Sequence, residues 1–220
     1  GGVPGSGKTS AVLVIALAAA LDPYCELWVY ELKGSGDLES VRPVCHRYVS
    51  GDDDDDCRAA LDALRALEQE MNRRKDIIRD LPIEDVPSGR KVYPHLAKRK
   101  ELGLHPLVAI FDECHTLFEH EEYGKEAAEI AGRLIRKARA YGIILVVTTQ
   151  KPDAKSLPTV VSGNVSTRFC LAVVGQQAND MVLGTSMYRN GIRATMFDPR
   201  KESGTGWLSK SAHDNRIVRA

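Results

Sequence analysis

The chain has no apolar stretch long enough to cross a bilayer as a helix. Its longest unbroken run, residues 11–21, is eleven residues, where a span needs about twenty. The flanks of a cleavable signal are missing as well. Five cysteines, at 25, 45, 57, 114 and 170, form no C-x-x-C pair, and neither Cys45-His46 nor Cys114-His115 has a spaced partner. Reduced thiols are the expectation, rather than a disulfide framework or a zinc site. Aromatic residues make up only 6%, without the interleaving with basic residues that a base-stacking platform for single strands needs. Net charge is absent too, since thirty Lys and Arg balance thirty Asp and Glu, so charge as a whole identifies no partner.

What is present is an ordinary globular composition, 43% apolar and 27% charged over 220 residues. That length suits one large domain. Charge is arranged in blocks: residues 1–72 carry −7, 73–100 carry +5, 101–130 carry −7, 131–150 carry +4 and 151–220 carry +5. Residues 9–21 are apolar nearly all round and read as a helix packed between other elements. Residues 25–32 read as a strand after the helix stop at Asp22-Pro23. Five aspartates at 52–56 precede a helix from about 56 to 80, whose Leu61, Leu64, Leu67, Met71 and Ile78 form one face. The run reads either as a metal or basic-partner site or as acids at the positive end of that helix. Residues 81–106, with four prolines and a basic cluster, read as an extended insertion or long loop. Residues 107–111, 143–149 and 168–174 read as buried strands, and 126–141 as an amphipathic helix. Strands that are continuous apolar runs, alternating with helices, predict an α/β domain with a mostly parallel sheet covered on both faces.

Gly2-Val3-Pro4-Gly5-Ser6-Gly7-Lys8-Thr9 fits G-x-x-x-x-G-K-[ST] and opens an apolar helix whose first turn includes Ser10. The glycines let backbone N–H groups wrap a phosphate, and the helix adds its positive end. In such a loop Lys8 reaches the β- and γ-phosphates of ATP and the Thr9 hydroxyl ligates magnesium. The loop predicts a buried strand ending in an acid that holds magnesium through water. Leu107-Val-Ala-Ile-Phe111 followed by Asp112 meets that requirement, and Glu113 is placed to polarise an attacking water. Gln150, at the end of the next strand, reads as a contact to the γ-phosphate or the lytic water, or as an ordinary polar terminus. The loop has no strand before it, so the expectation is that a first strand, and a membrane anchor or further domains, lie upstream.

GGVPGSGKT, LVAIFDE, KARAYGI, LVVTTQKP and STRFCLAVV follow one another as in the FtsK/SpoIIIE family of DNA translocases, which the chain resembles to about residue 208. LEQEMNRRKDII also looks like that family's segment between the two nucleotide motifs. The resemblance implies a RecA-like P-loop ATPase using ATP and magnesium, assembled as a homo-hexameric ring that pulls double-stranded DNA through its pore. It implies a domain in the cytoplasm, with the whole protein at the inner face of the cell membrane. It assigns Arg139, in KARAYG, as a finger acting in trans, and Gln150 as a sensor. The pair Arg73 and Arg74 would be interface or nucleotide-adjacent. Glu31-Leu32-Lys33-Gly34 and Asp112-Glu113-Cys114 depart from the division motors, which read Asp-Pro-Lys and Asp-Glu-Phe there. The departures fit better a plasmid-transfer relative of the TraB type. A secretion ATPase of the EccC type shares these motifs and is the alternative. DNA-contact candidates are Arg90, Lys91, Lys98, Arg99 and Lys100 of the insertion, and Lys151 and Lys155 in the loop 151–162, with a solvated charged surface as the other reading.

Overall fold

Alternate residues of two neighbouring strands feed two different cores, which is what a sheet covered on both faces requires. In the computed structural model, which describes residues 1–211 and 214–220, helix α1 (Lys8–Ala20) leads to strand β1 (Glu26–Glu31) and β2 (Arg47–Ser50). Helix α2 (Asp54–Asp80) follows, then the short α3 (Pro94–Ala97), β3 (Leu107–Asp112), α4 (His115–Phe118), α5 (Gly124–Lys137) and β4 (Ile143–Val147). The chain closes with α6 (Thr159–Ser162), β5 (Arg168–Cys170), α7 (Gly175–Leu183), β6 (Thr205–Ser211) and β7 (Asp214–Arg219). Strands β2-β1-β3-β4 form a four-stranded sheet, parallel throughout. Trp28, Tyr30, Ala109 and Phe111 face α2 and α5, with Tyr30 and Phe111 stacked at 5.0 Å. Leu27, Val29, Val108 and Ile110 face α1 on the other side.

The expectation of a third buried strand over 168–174 in the parallel sheet is corrected. Only Arg168–Cys170 is strand, and it pairs antiparallel with β6 in a separate sheet, β5-β6-β7. The rest of that apolar run serves the opening loop: Leu171 N donates to Gly1 O at 2.9 Å and Val3 N donates to Ala172 O at 2.9 Å.

The five aspartates are a helix start. Asp53 caps α2 by accepting from Asp56 N at 2.9 Å, Asp56 Oδ2 accepts from Asp53 N at 3.3 Å, and three acids occupy the first turn. Residues 81–106 are more ordered than a long loop: Val86, Leu96 and Leu104 pack with Ile78 in a small core of their own.

Arg74 is buried within α2. Its Nε donates to Glu70 Oε1 at 2.7 Å, and its Nη1 donates to the carbonyls of His105 at 2.8 Å and Tyr141 at 3.0 Å. It therefore ties α2 to the segments entering β3 and β4. Arg74→Met leaves those carbonyls unpaired and Glu70 with Arg73 alone, and is expected to cost about 2–3 kcal/mol, read as a lower urea midpoint with an unchanged slope.

Candidate functional site

The opening loop ends on Gly7, whose φ of 92° is left-handed and whose missing Cβ makes room for Gly204, since a Cβ there would lie 2.3 Å from Gly204 N. Gly204 N donates to Ser6 O at 2.8 Å, so residues 203–204 brace the loop from a part of the chain that sequence reasoning passed over. Helix α1 has no side-chain cap and no acid in its first turn. Its opening N–H groups are left without internal partners, and they face an anion favourably.

Lys8 lies 2.5 Å from Asp112 Oδ1 and 2.6 Å from Glu113 Oε1, with all three side chains buried. The fold thus closes a sequence separation of more than a hundred residues onto one lysine. Burial would lower the Lys8 pKa, but Asp112 and Glu113 outweigh it and raise it. Glu113 has a φ of 52°, a left-handed conformation that costs a non-glycine residue about 1–3 kcal/mol and clusters at functional sites. Its Oε2 accepts from Gln150 N at 3.0 Å and sits 3.2 Å from His115 Nδ1. Burial pushes the Glu113 carboxyl up, but His115, Lys8 and the Gln150 N–H prevail and bring it down to about 2. A depressed carboxyl stabilises the fold fully above its unfolded pKa of 4.5, and that contribution is lost as pH falls through about 2. The stability gap between the wild type and Glu113→Gln, followed by urea unfolding, is therefore expected to narrow between pH 4.5 and pH 2.

The end of β4 completes the arrangement. Thr148 Oγ1 donates to Asp112 Oδ1, and Cys114 N donates to Thr148 O at 2.9 Å. Thr149 Oγ1 is 3.3 Å from His115 Nδ1. Thr148 and His115 had no assigned role in the sequence; their signal was position alone, beside Gln150 and beside the acid pair. A cavity of about 300 Å³ is lined by Val3, Pro4, Gly5, Gly7, Lys8 and Thr9, by Gln150 and Ser203, and by Lys33 and Asp37. The Thr9 hydroxyl and the Asp112 carboxylate are hard oxygen donors of the kind magnesium takes, so the residues present fit that ion.

Arg139 is not brought to this site. It is exposed, in the turn Ala138–Tyr141 at the amino end of β4, whereas the acid pair lies at the carboxyl end of β3. A five-residue strand, roughly 16 Å, separates those two levels. Of the two readings of Arg73 and Arg74, interface or nucleotide-adjacent, the second is not met within the chain: Arg74 is held by His105 and Tyr141, and Arg73 by Glu70, Leu102 and Gly103, away from the acid pair. Of the DNA-contact candidates, Arg90 donates to the carbonyls of Ile78 and Leu81, and Arg99 pairs with Asp85 and Glu101. Lys91 lies over the Tyr93 ring at 5.2 Å. Lys98, Lys100, Lys151 and Lys155 are exposed, the first two before the amino end of β3 and the last two beyond the carboxyl end of β4.

The four parallel strands, the uncapped helix behind a glycine loop and the acid pair on Lys8 define an α/β domain of the P-loop ATPase architecture. The chain belongs to the FtsK/SpoIIIE family, whose model matches residues 1–154. It is 33% identical over 146 residues to the DNA translocase FtsK of Caldanaerobacter subterraneus, covering 66% of this chain and 20% of that protein. It is 30% identical over 123 residues to the DNA translocase SftA of Bacillus subtilis, covering 55% of this chain and 12% of that protein. The chain thus spans a fifth or less of the length of these relatives. Among solved structures, the conjugation coupling protein TcpA of pCW3, in a monomer form with ATPγS, superposes with a TM-score of 0.75 at 19% identity, over 100% of this chain and 58% of that one. The cytoplasmic domain of the type VII secretion ATPase EccC of Thermomonospora curvata superposes with a TM-score of 0.74 at 19% identity, over 100% of this chain and 24% of that one.

Proposed function

We propose that this chain is the ATP-hydrolysing motor domain of a double-stranded DNA translocase that works as a homo-hexameric ring, in DNA transfer or in chromosome or plasmid segregation. The observation that carries the reading is the buried contact of Lys8 with Asp112 and Glu113, which joins the phosphate loop to a strand-end acid pair. The loop and the first turn of α1, including Ser10, bind the phosphates, and Thr9 with Asp112 would hold magnesium. Bound magnesium neutralises phosphate charge. Glu113 orients the attacking water, with its carboxylate aimed by the Gln150 N–H and by His115. Gln150 bridges that carboxylate and the cavity, which suits a residue that reports loss of the γ-phosphate to β4. Arg139 completes a neighbouring protomer's site, a role its exposure and distance from its own cavity favour.

A motor that accepts every sequence holds DNA by its phosphates. The test is ATP turnover of the full-length protein with and without duplex DNA. Stimulation by duplex is expected. Turnover indifferent to duplex but raised by an export-signal peptide would overturn the DNA reading in favour of an EccC-like secretion motor, the alternative that the likeness of fold to EccC keeps in view.

A further inference from the structure

Glu31 ends β1 level with Asp112 on β3, yet it takes no part in the acid pair. Its carboxylate is fully buried and is held by neutral donors from the chain that follows. Oε1 accepts from Ser35 N at 3.1 Å, Ser35 Oγ at 2.7 Å and Asp37 N at 3.1 Å. Oε2 accepts from Leu38 N, Tyr48 Oη and Ser50 Oγ, each at 3.3 Å. Burial raises the Glu31 carboxyl, but these donors outweigh it and keep it below its ordinary range. A buried anion satisfied in this way is a rigid anchor, and a loop with its amides on that anchor has little freedom.

The anchored loop, residues 33–38, turns through Gly34 and Gly36, both left-handed at φ 63° and 70°. Two of its residues, Lys33 and Asp37, line the same cavity as Gly5 and Lys8. Lys33 Nζ rests on Asp37 Oδ2 at 3.2 Å, in a pair whose two ends are about 40% exposed and which is correspondingly weak. Lys8, the other cation lining the cavity, is paired with two carboxylates.

We infer that residues 33–38 are a second wall of the nucleotide site: Lys33 supplies a second cation to the terminal phosphates of a nucleoside triphosphate, Asp37 holds it while the site is empty, and Glu31 is the positioning residue beneath both. The inference rests on the cavity being a nucleotide site. It is tested by titrating the full-length protein and its variants with fluorescent analogues of a non-hydrolysable triphosphate and of the diphosphate. Lys33→Ala is expected to weaken triphosphate binding roughly tenfold, the loss of one charge-assisted contact, and diphosphate binding much less. Lys33→Arg is expected to restore most of it. Glu31→Gln is expected to reproduce the triphosphate loss and, without nucleotide, to speed hydrogen exchange at the amides of Ser35, Asp37 and Leu38. If Lys8→Ala abolishes binding while Lys33→Ala binds both analogues as the wild type does, the second wall is overturned and the nucleotide site stands. Should the wild type bind neither analogue, both fall together. Faster exchange in Glu31→Gln with unchanged affinity overturns the positioning role of Glu31.

Discussion

Glu113→Gln is expected to cut ATP turnover by about 10²–10⁴-fold, the usual worth of a positioned proton acceptor, while ATP remains bound. The amide has nearly the same shape, and its oxygen still accepts from the Gln150 N–H, so the end of β4 keeps its place. What is lost is the charge. Beside Lys8 and His115 the carboxyl sits at about 2, too low to draw a proton from water. On the proposed reading, phosphates bound by the loop would draw Lys8 away, and with its nearest cation gone the carboxyl would rise toward the range in which it polarises water. The same exchange removes a competitor for Lys8, so the amide variant is expected to hold ATP at least as tightly as the wild type. Nucleotide retention by filter binding, beside phosphate release, separates the two effects. Unchanged turnover removes Glu113 from the water-orienting role, and lost retention makes it a binding residue.

The site was legible where a local pattern carries its own geometry. Glycines ahead of Lys8 and Thr9 encode left-handed backbone and close approach, and a strand of apolar residues ending in two acids encodes a carboxylate at the carboxyl edge of a sheet. The aspartates at 52–56 were legible in the same way, because a helix start needs acceptors. Pairing direction has no such local signature: residues 168–174 read as one buried strand, but only three join a ladder, and it is antiparallel. Ser203 and Gly204 were invisible because a small-residue turn carries no pattern that points to a distant loop. The burial of Arg74 is readable from spacing, although the resemblance pointed to another role. The residue falls at helical spacing with Leu67, Met71 and Ile78, so the phase of α2 turns it inward and Arg73 outward. That phase also explains why Arg74 meets the carbonyl of Tyr141 and steadies the turn that carries Arg139.

Arg139→Ala is expected to lower turnover by about 10³-fold or more in the assembled protein, with nucleotide affinity nearly unchanged. The chain's own cavity is too far from Arg139 for a contact within one chain, because the turn precedes β4 while the opening loop and acid pair gather at the opposite ends of the strands. Exposure keeps the guanidinium available to another copy, and a variant there leaves the loop, the acid pair and Gln150 as they were. The decisive form of the experiment mixes two inactive proteins. Arg139→Ala protomers retain Glu113, and Glu113→Gln protomers retain Arg139, so an interface that pairs one of each in the right order contains a complete site. Turnover is expected to reappear on mixing and to rise as the two approach equal amounts. If the arginine served its own chain, no arrangement of the two variants would assemble a working site, and the mixture would stay as inactive as its parts.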